Sequence, residues 1–132
     1  MRMAGQTQFR RVLVVDDEYA VRETIQIALE DRGFEVRKAA DGLEALAILR
    51  EWPCGLVLTD LRMPHMDGTA FLVRLRAEGN TVPVVVLSGF TEQLTEAMGA
   101  TLGVSKVLPK PFGIATLLAT VDSVMTEREA GT

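Results

Sequence analysis

Apolar residues recur along this chain in two alternating rhythms. Short continuous runs (Val12-Leu13-Val14-Val15, Leu56-Val57-Leu58, Val84-Val85-Val86-Leu87) are separated by stretches where apolar positions return every three or four residues. The runs predict strands covered on both faces, and the spaced stretches predict helices with one apolar stripe. Arg11 to Val15 is the first strand, ended by Asp16-Asp17-Glu18. Val21, Ile25, Ala28 and Leu29 stripe a first helix, which Gly33 closes. Phe34 to Lys38 alternates apolar and polar, as suits a strand near a sheet edge. Asp41 and Glu44 have capping-box spacing and open a second helix that buries Ala45, Leu46 and Leu49 and stops before Pro53. Leu56 to Thr59 is the third strand and delivers Asp60 at its carboxyl end. Thr69 to Ala77 is a helix with Phe71, Leu72 and Leu75 inward, ended by Gly79-Asn80. Val82 to Leu87 is the fourth strand, ending at Ser88-Gly89. Thr91 N-caps a fourth helix carrying Leu94, Met98 and Leu102, which Gly103 ends. Lys106-Val107-Leu108 is a short fifth strand before Pro109-Lys110-Pro111-Phe112. Ile114, Leu117, Leu118, Val121 and Val124/Met125 stripe the last helix. Residues 1–9 read as a loose arm, 10–126 as one folded domain and 127–132 as a frayed polar tail.

Strands alternating with helices over short connections predict a doubly wound parallel sheet inside a three-layer α/β/α sandwich. For five strands the expected order is 2-1-3-4-5. At 132 residues and 48% hydrophobic the chain has ample material for one core and is not a disordered segment. No apolar run approaches the roughly 18 residues a membrane span needs, and the first residues lack a signal-peptide pattern. A single Cys54 excludes an internal disulfide or a cysteine metal cluster. With these features the expected compartment is the cytoplasm. The net charge of −4 gives no general reason to bind nucleic acid. Neither a Gly-x-Gly-x-x-Gly after the first strand nor a Gly-Lys-Ser/Thr loop occurs, so the usual supports for dinucleotide and P-loop nucleotide binding are absent.

In the expected strand order the carboxyl ends of strands 1, 3, 4 and 5 are neighbours. They carry Asp16 and Asp17, Asp60, Ser88 and Lys110 respectively. An open α/β sheet binds its ligands at that edge. Two or three carboxylates make a hard oxygen site suited to Mg²⁺. A carboxylate also serves as a nucleophile toward phosphorus. A phosphoryl group spreads negative charge over three oxygens, which one cation, one ammonium and one hydroxyl can meet. Asp60 is then the nucleophile, Asp17 a metal ligand and Asp16 a second acid acting directly or through water. Lys110 pairs with one phosphoryl oxygen and Ser88 with another.

Val-Val-Asp-Asp-Glu, Leu-Thr-Asp-Leu-Arg-Met-Pro-His-Met-Asp-Gly, Val-Val-Val-Leu-Ser-Gly and Pro-Lys-Pro-Phe, in this order and spacing, resemble the receiver domain of two-component response regulators. The resemblance spans about residues 10–126 and implies a flavodoxin-like fold of the chemotaxis-regulator type. It implies that a histidine kinase or phosphotransfer protein donates to Asp60, with Mg²⁺ on Asp17, Asp60 and the backbone carbonyl of Arg62, and Asp16 assisting mainly through water. It implies a cis Lys110–Pro111 bond. It also implies a response at the face of helix 4, strand 5 and helix 5, which contacts an output domain, a downstream protein or a second copy.

Three positions depart from the family pattern. Receivers commonly carry Tyr or Phe three residues before the lysine, where this chain has Val107. Coupling is therefore expected to run through backbone or helix 4 movement rather than a rotating ring. Pro109 precedes Lys110 and stiffens that loop. Arg62 and Phe90 lie where side chains cover the phosphoryl group, and Phe90 is expected to hinder the hydrolytic water.

Plainer readings exist for the same residues. Asp16-Asp17-Glu18 alone is a cap for helix 1 that suits its dipole. Ser88-Gly89 alone is a turn, and Lys110 alone a solvated arm. His65 reads as an exposed loop residue, Cys54 as semi-buried packing, Trp52 as a cover for the end of helix 2 and Asp67-Gly68 as the start of helix 3. Two other functions compete with the switch. A phosphohydrolase with an aspartyl-phosphate intermediate would want Asp-x-Asp after strand 1, where this chain has adjacent Asp16-Asp17. A receiver-like interaction module would need no phosphate at all. With no room for an output domain, the expectation is a stand-alone regulator or the receiver piece of a longer protein.

Overall fold

The computed structural model describes residues 9–89 and 96–130. Its elements run β1 (Arg11–Val15), α1 (Tyr19–Asp31), β2 (Glu35–Ala39), α2 (Gly42–Glu51), β3 (Leu56–Asp60), α3 (Gly68–Ala77), β4 (Val84–Ser88), α4 (Glu96–Leu102), β5 (Val104–Pro109) and α5 (Ile114–Ala130). The strands form one parallel sheet in the order β2-β1-β3-β4-β5, as expected from the alternation.

Strand side chains alternate between two cores because the pleat has a period of two. Leu13, Val15, Val57, Val84 and Val86 face Ala45, Leu46 and Leu49 of α2 and Phe71, Leu72 and Leu75 of α3. Val12, Val14, Leu56, Leu58, Val85 and Leu87 face Ile25 and Leu29 of α1 and Leu117, Val121 and Val124 of α5. The three central strands are thus covered on both sides, which is why they read as unbroken apolar runs. The edge strand β2 keeps Glu35 and Arg37 exposed. Trp52 caps the end of α2 and is buried, with the guanidinium carbons of Arg37 and Arg11 at 4.9 and 5.3 Å from its ring centroid. Cys54 is fully packed rather than semi-buried, and its Sγ lies 3.4 Å from the Leu56 carbonyl oxygen.

Several boundaries differ from the expectation. β5 is longer than Lys106–Leu108, running from Val104 to Pro109. Its ladder jumps from Val84↔Val104 to Val85↔Lys106, so Ser105 is the extra residue of a β-bulge. That break in alternation hid the start of the strand. The last helix continues to Ala130, so residues 127–130, read as frayed tail, are helical. Its apolar stripe stops near Met125 while the backbone ladder continues. α3 begins at Gly68, one residue before the expected Thr69. The expectations placed on Phe90, Thr91 and Leu94, and on the Met98 side chain, fall outside what is described.

Candidate functional site at the carboxyl edge of the sheet

The site begins where three strands stop. β1 extends one ladder bond past Val15, Asp16 N–H donating to the Ala39 carbonyl at 3.1 Å, and then turns. The turn is held by the Asp16 side chain, whose Oδ1 accepts from the Glu18 amide at 2.9 Å. β3 ends in the same way, with Asp60 Oδ1 accepting from the Arg62 amide at 3.1 Å. Each carboxylate thus spends one oxygen on its own turn, the local bonding Asp favours at strand ends. The other oxygen of each is offered to the cleft.

Lys110 occupies the space between them. Its Nζ donates to Asp16 Oδ2 and to Asp60 Oδ2, both at 2.8 Å. It leaves the end of β5, where its own amide donates to the Ser88 carbonyl at 2.6 Å, and the Lys110–Pro111 bond is cis. Asp16 is fully buried and Asp60 is 5% exposed, so these are largely desolvated charges. Burial raises the pKa of Asp16, against the lowering effect of the Lys110 hydrogen bond. Burial also works against the charge on Lys110, yet the two carboxylates outweigh it and raise its pKa above the ordinary lysine value.

Asp17 is exposed at the mouth, and its carboxylate takes no hydrogen bond from a described residue. One oxygen from each of Asp16, Asp17 and Glu18 can lie within 4.8 Å of the others. In this hard, oxygen-only donor set the Asp17 and Glu18 carboxylates take no hydrogen bond from a described residue, and the set fits a divalent cation such as Mg²⁺. Ser88 is half-buried at the end of β4, and its hydroxyl bonds no described residue.

The candidates Asp16, Asp60 and Lys110 therefore meet directly, with Asp17 and Ser88 at the rim. Asp16 is bonded side chain to side chain with Lys110.

Glu18, read in the sequence together with Asp16 and Asp17, completes the acidic group. Two contributors escaped the sequence reading. Arg22, one helical turn into α1, donates from Nη1 to the Asp16 carbonyl at 2.7 Å. Gly68 packs its bare Cα on the end of β3: a Cβ there would overlap the Asp60 carbonyl oxygen and lie 2.6 Å from Leu61 Cα. A glycine opening a helix directly behind the acceptor strand was the available signal for this last one. His65 is an exposed loop residue as read, but it has φ +66° and its Nδ1 lies 2.9 Å from Asp41 Oδ2.

Fold and site together define a doubly wound α/β domain with a lysine-bridged carboxylate pair at the carboxyl edge of its sheet. The family model for the response regulator receiver domain matches residues 12–122, and the chain belongs to that family, a receiver domain of two-component signalling. Among curated relatives, Response regulator MprA of Mycobacterium leprae is 38% identical over 116 residues, covering 87% of this chain and 50% of the relative. Response regulator MprA of Mycobacterium avium is 39% identical over the same length, with the same coverage. The chain spans about half the length of the curated relatives it matches. A CheY-like receiver domain protein from Methanospirillum hungatei superposes with a TM-score of 0.86 at 26% identity, over 94% of this chain and 99% of that one. Chemotaxis response regulator CheY4 of Vibrio cholerae gives 0.77 at 35% identity, over 88% and 98%. Among the described residues no helix is long and apolar enough to cross a membrane.

Proposed function

We propose that Asp60 accepts a phosphoryl group from the phosphohistidine of a histidine kinase or phosphotransfer protein. The adduct then biases the α4–β5–α5 face toward a form that engages an output domain or a separate downstream protein in the cytoplasm. One observation carries this reading: a single ammonium bridges two buried carboxylates, one of which ends the central strand.

The chemistry follows from the groups present. Asp60 Oδ2 attacks phosphorus, the P–N bond to the donor imidazole breaks, and the imidazole takes up a proton as it leaves. Asp60 Oδ1 stays on the Arg62 amide, so the attacking oxygen is held in place. Lys110 moves its Asp60 bond to a phosphoryl oxygen and keeps its bond to Asp16, so the ammonium remains in the cleft throughout. The Ser88 hydroxyl meets a second phosphoryl oxygen. Asp17, Asp60 and the Arg62 carbonyl, with Asp16 in support, are the residues that would hold Mg²⁺. When bound, that ion would neutralise charge on the acceptor and the transferred group. The reaction ends at the adduct except for slow hydrolysis, so the protein is a switch rather than a turnover enzyme.

The test is incubation with a small phosphoramidate donor and Mg²⁺, followed by intact mass. One phosphoryl group on the wild-type chain and none on Asp60→Asn is the expected result. Absence of any adduct with either small donor or kinase would overturn the reading in favour of a phosphate-independent interaction module.

A further inference from the structure

Arg76 stands near the end of α3 and is half-buried. Its Nε donates to the Leu102 carbonyl at 2.7 Å, Nη2 to the Gly103 carbonyl at 3.2 Å and Nη1 to the Asn80 carbonyl at 3.0 Å. No described carboxylate pairs with it, and burial lowers its pKa. A half-buried guanidinium whose described partners are all carbonyls is a costly way to decorate a surface. It is well suited to gripping the end of a neighbouring helix, whose last carbonyls lack internal partners. The grip is shaped on both sides: Gly103 has φ +71°, and a Cβ there would lie 2.9 Å from Arg76 Nη2. α3 thus holds the corner where α4 ends and β5 begins.

The opposite end of α3 presses on the acceptor. Gly68 N–H donates to the Leu61 carbonyl at 2.7 Å, and its Cα leaves no room for a Cβ against the Asp60 backbone. Between the two ends Phe71, Leu72 and Leu75 are buried in the sheet, so the helix cannot slip without repacking. Three residues before Lys110, Val107 is 50% exposed and carries no ring, so no bulky side chain there can turn between an exposed and a buried position.

We propose that α3 is a strut that transmits the state of Asp60 to the α4–β5 corner, with Arg76 as its coupling residue. The proposal rests on phosphorylation of Asp60. Charge and volume added at Asp60 shift the backbone on which Gly68 sits. α3 moves as a rigid body about 15 Å long. Arg76 carries that shift to Leu102 and Gly103, and so to the start of β5. Coupling of this kind requires an element whose position both sites bias, and α3 touches both.

The experiment is hydrogen exchange of the whole chain with and without a small phosphoramidate donor and Mg²⁺, each sample checked by intact mass. In the wild type, phosphorylation changes exchange of the Val104–Leu108 amides by about fivefold, the lower range of ordinary site-to-site coupling. In Arg76→Met the adduct forms to the same extent and that change is lost, while Arg76→Lys restores part of it. Gly103→Ala, which retains the charge but crowds the guanidinium, gives the same loss and decides the matter if Arg76→Met does not fold. A β5 response equal to the wild type in phosphorylated Arg76→Met, or in Gly103→Ala where Arg76→Met is unfolded, overturns the strut alone. No adduct on the wild-type chain overturns the phosphorylation reading, and the strut with it.

Discussion

Replacing Lys110 by Met removes the one ammonium between two buried carboxylates and leaves a side chain of similar length. Asp16 and Asp60 each hold an oxygen 2.8 Å from Nζ. The two carboxylates are therefore about 5 Å apart, and at an effective dielectric near 20 they repel by about 3 kcal/mol. The Lys110 side chain is 20% exposed, so water and mobile ions reach the cleft and screen part of this. A loss of about 2 kcal/mol at neutral pH in the presence of chelator is the reasoned figure. For a domain of 132 residues that is a fall of about 7 °C in melting temperature. The same substitution makes the cleft a better home for a cation, because nothing positive now competes with it. With millimolar Mg²⁺ the deficit should shrink below about 1 kcal/mol, and the variant should bind the ion several-fold more tightly than the wild type. Urea denaturation of both proteins with chelator and with Mg²⁺ measures all of this. Adding Asp16→Asn to Lys110→Met should recover most of the loss in chelator. A Lys110→Met deficit that is absent in chelator, or that Mg²⁺ leaves unchanged, would refute the claim that these charges share one electrostatic site.

Gly68→Ala forces a methyl onto the Asp60 backbone and should cost about 2 kcal/mol by overpacking, read by urea denaturation, and it should slow phosphorylation as well. Asp41→Ala removes the N-cap of α2, where Oδ1 accepts from the Glu44 amide at 2.8 Å, and should cost about 1 kcal/mol at neutral pH. The Glu44 amide, with help from His65, lowers the pKa of Asp41 from its ordinary 3.8. Its contribution is therefore full above that value and disappears as pH falls through the lower folded-state value. Acid unfolding curves of Asp41→Ala and wild type should accordingly converge at low pH, and a gap that stays constant would contradict the assignment. Trp52→Ala empties a buried site beneath two guanidinium groups and should cost about 3 kcal/mol, followed by circular dichroism since the chain has no other tryptophan.

Much of this architecture was legible because central strands and amphipathic helices write different periods. The runs at Val12, Leu56 and Val84 are apolar throughout since both faces of each strand are packed, and they located the sheet's middle. The edge was harder. β5 has Ser105, Lys106 and Val107 exposed and a bulge at its start, so its pattern is neither alternating nor continuous. The site was legible in its chemistry, because strand order alone brings Asp16, Asp60 and Lys110 to one edge. Its supports were not. Arg22 and Arg76 act on backbone carbonyls, and a bond to a carbonyl leaves no complementary residue type in the sequence to notice. Gly68 acts through a missing atom, and only neighbouring coordinates reveal what that atom would meet.

The bulge at Ser105 has a consequence for how this domain tolerates change in length. It lies between two fixed stations, the corner gripped at Leu102 and Gly103 and the ladder from Lys106 to Pro109 that aims Lys110. The surplus residue is slack on a line between two moorings. Removing Ser105 would leave Val104 and Lys106 opposite the same partners, merely straightening the strand. Removing any residue from Lys106 to Pro109 would instead draw the lysine back by one place and turn it to the other face, emptying the cleft of its only ammonium. The same slack lets the corner shift while Lys110 stays at its post, so the corner communicates with Asp60 through α3 rather than by dragging the lysine along β5.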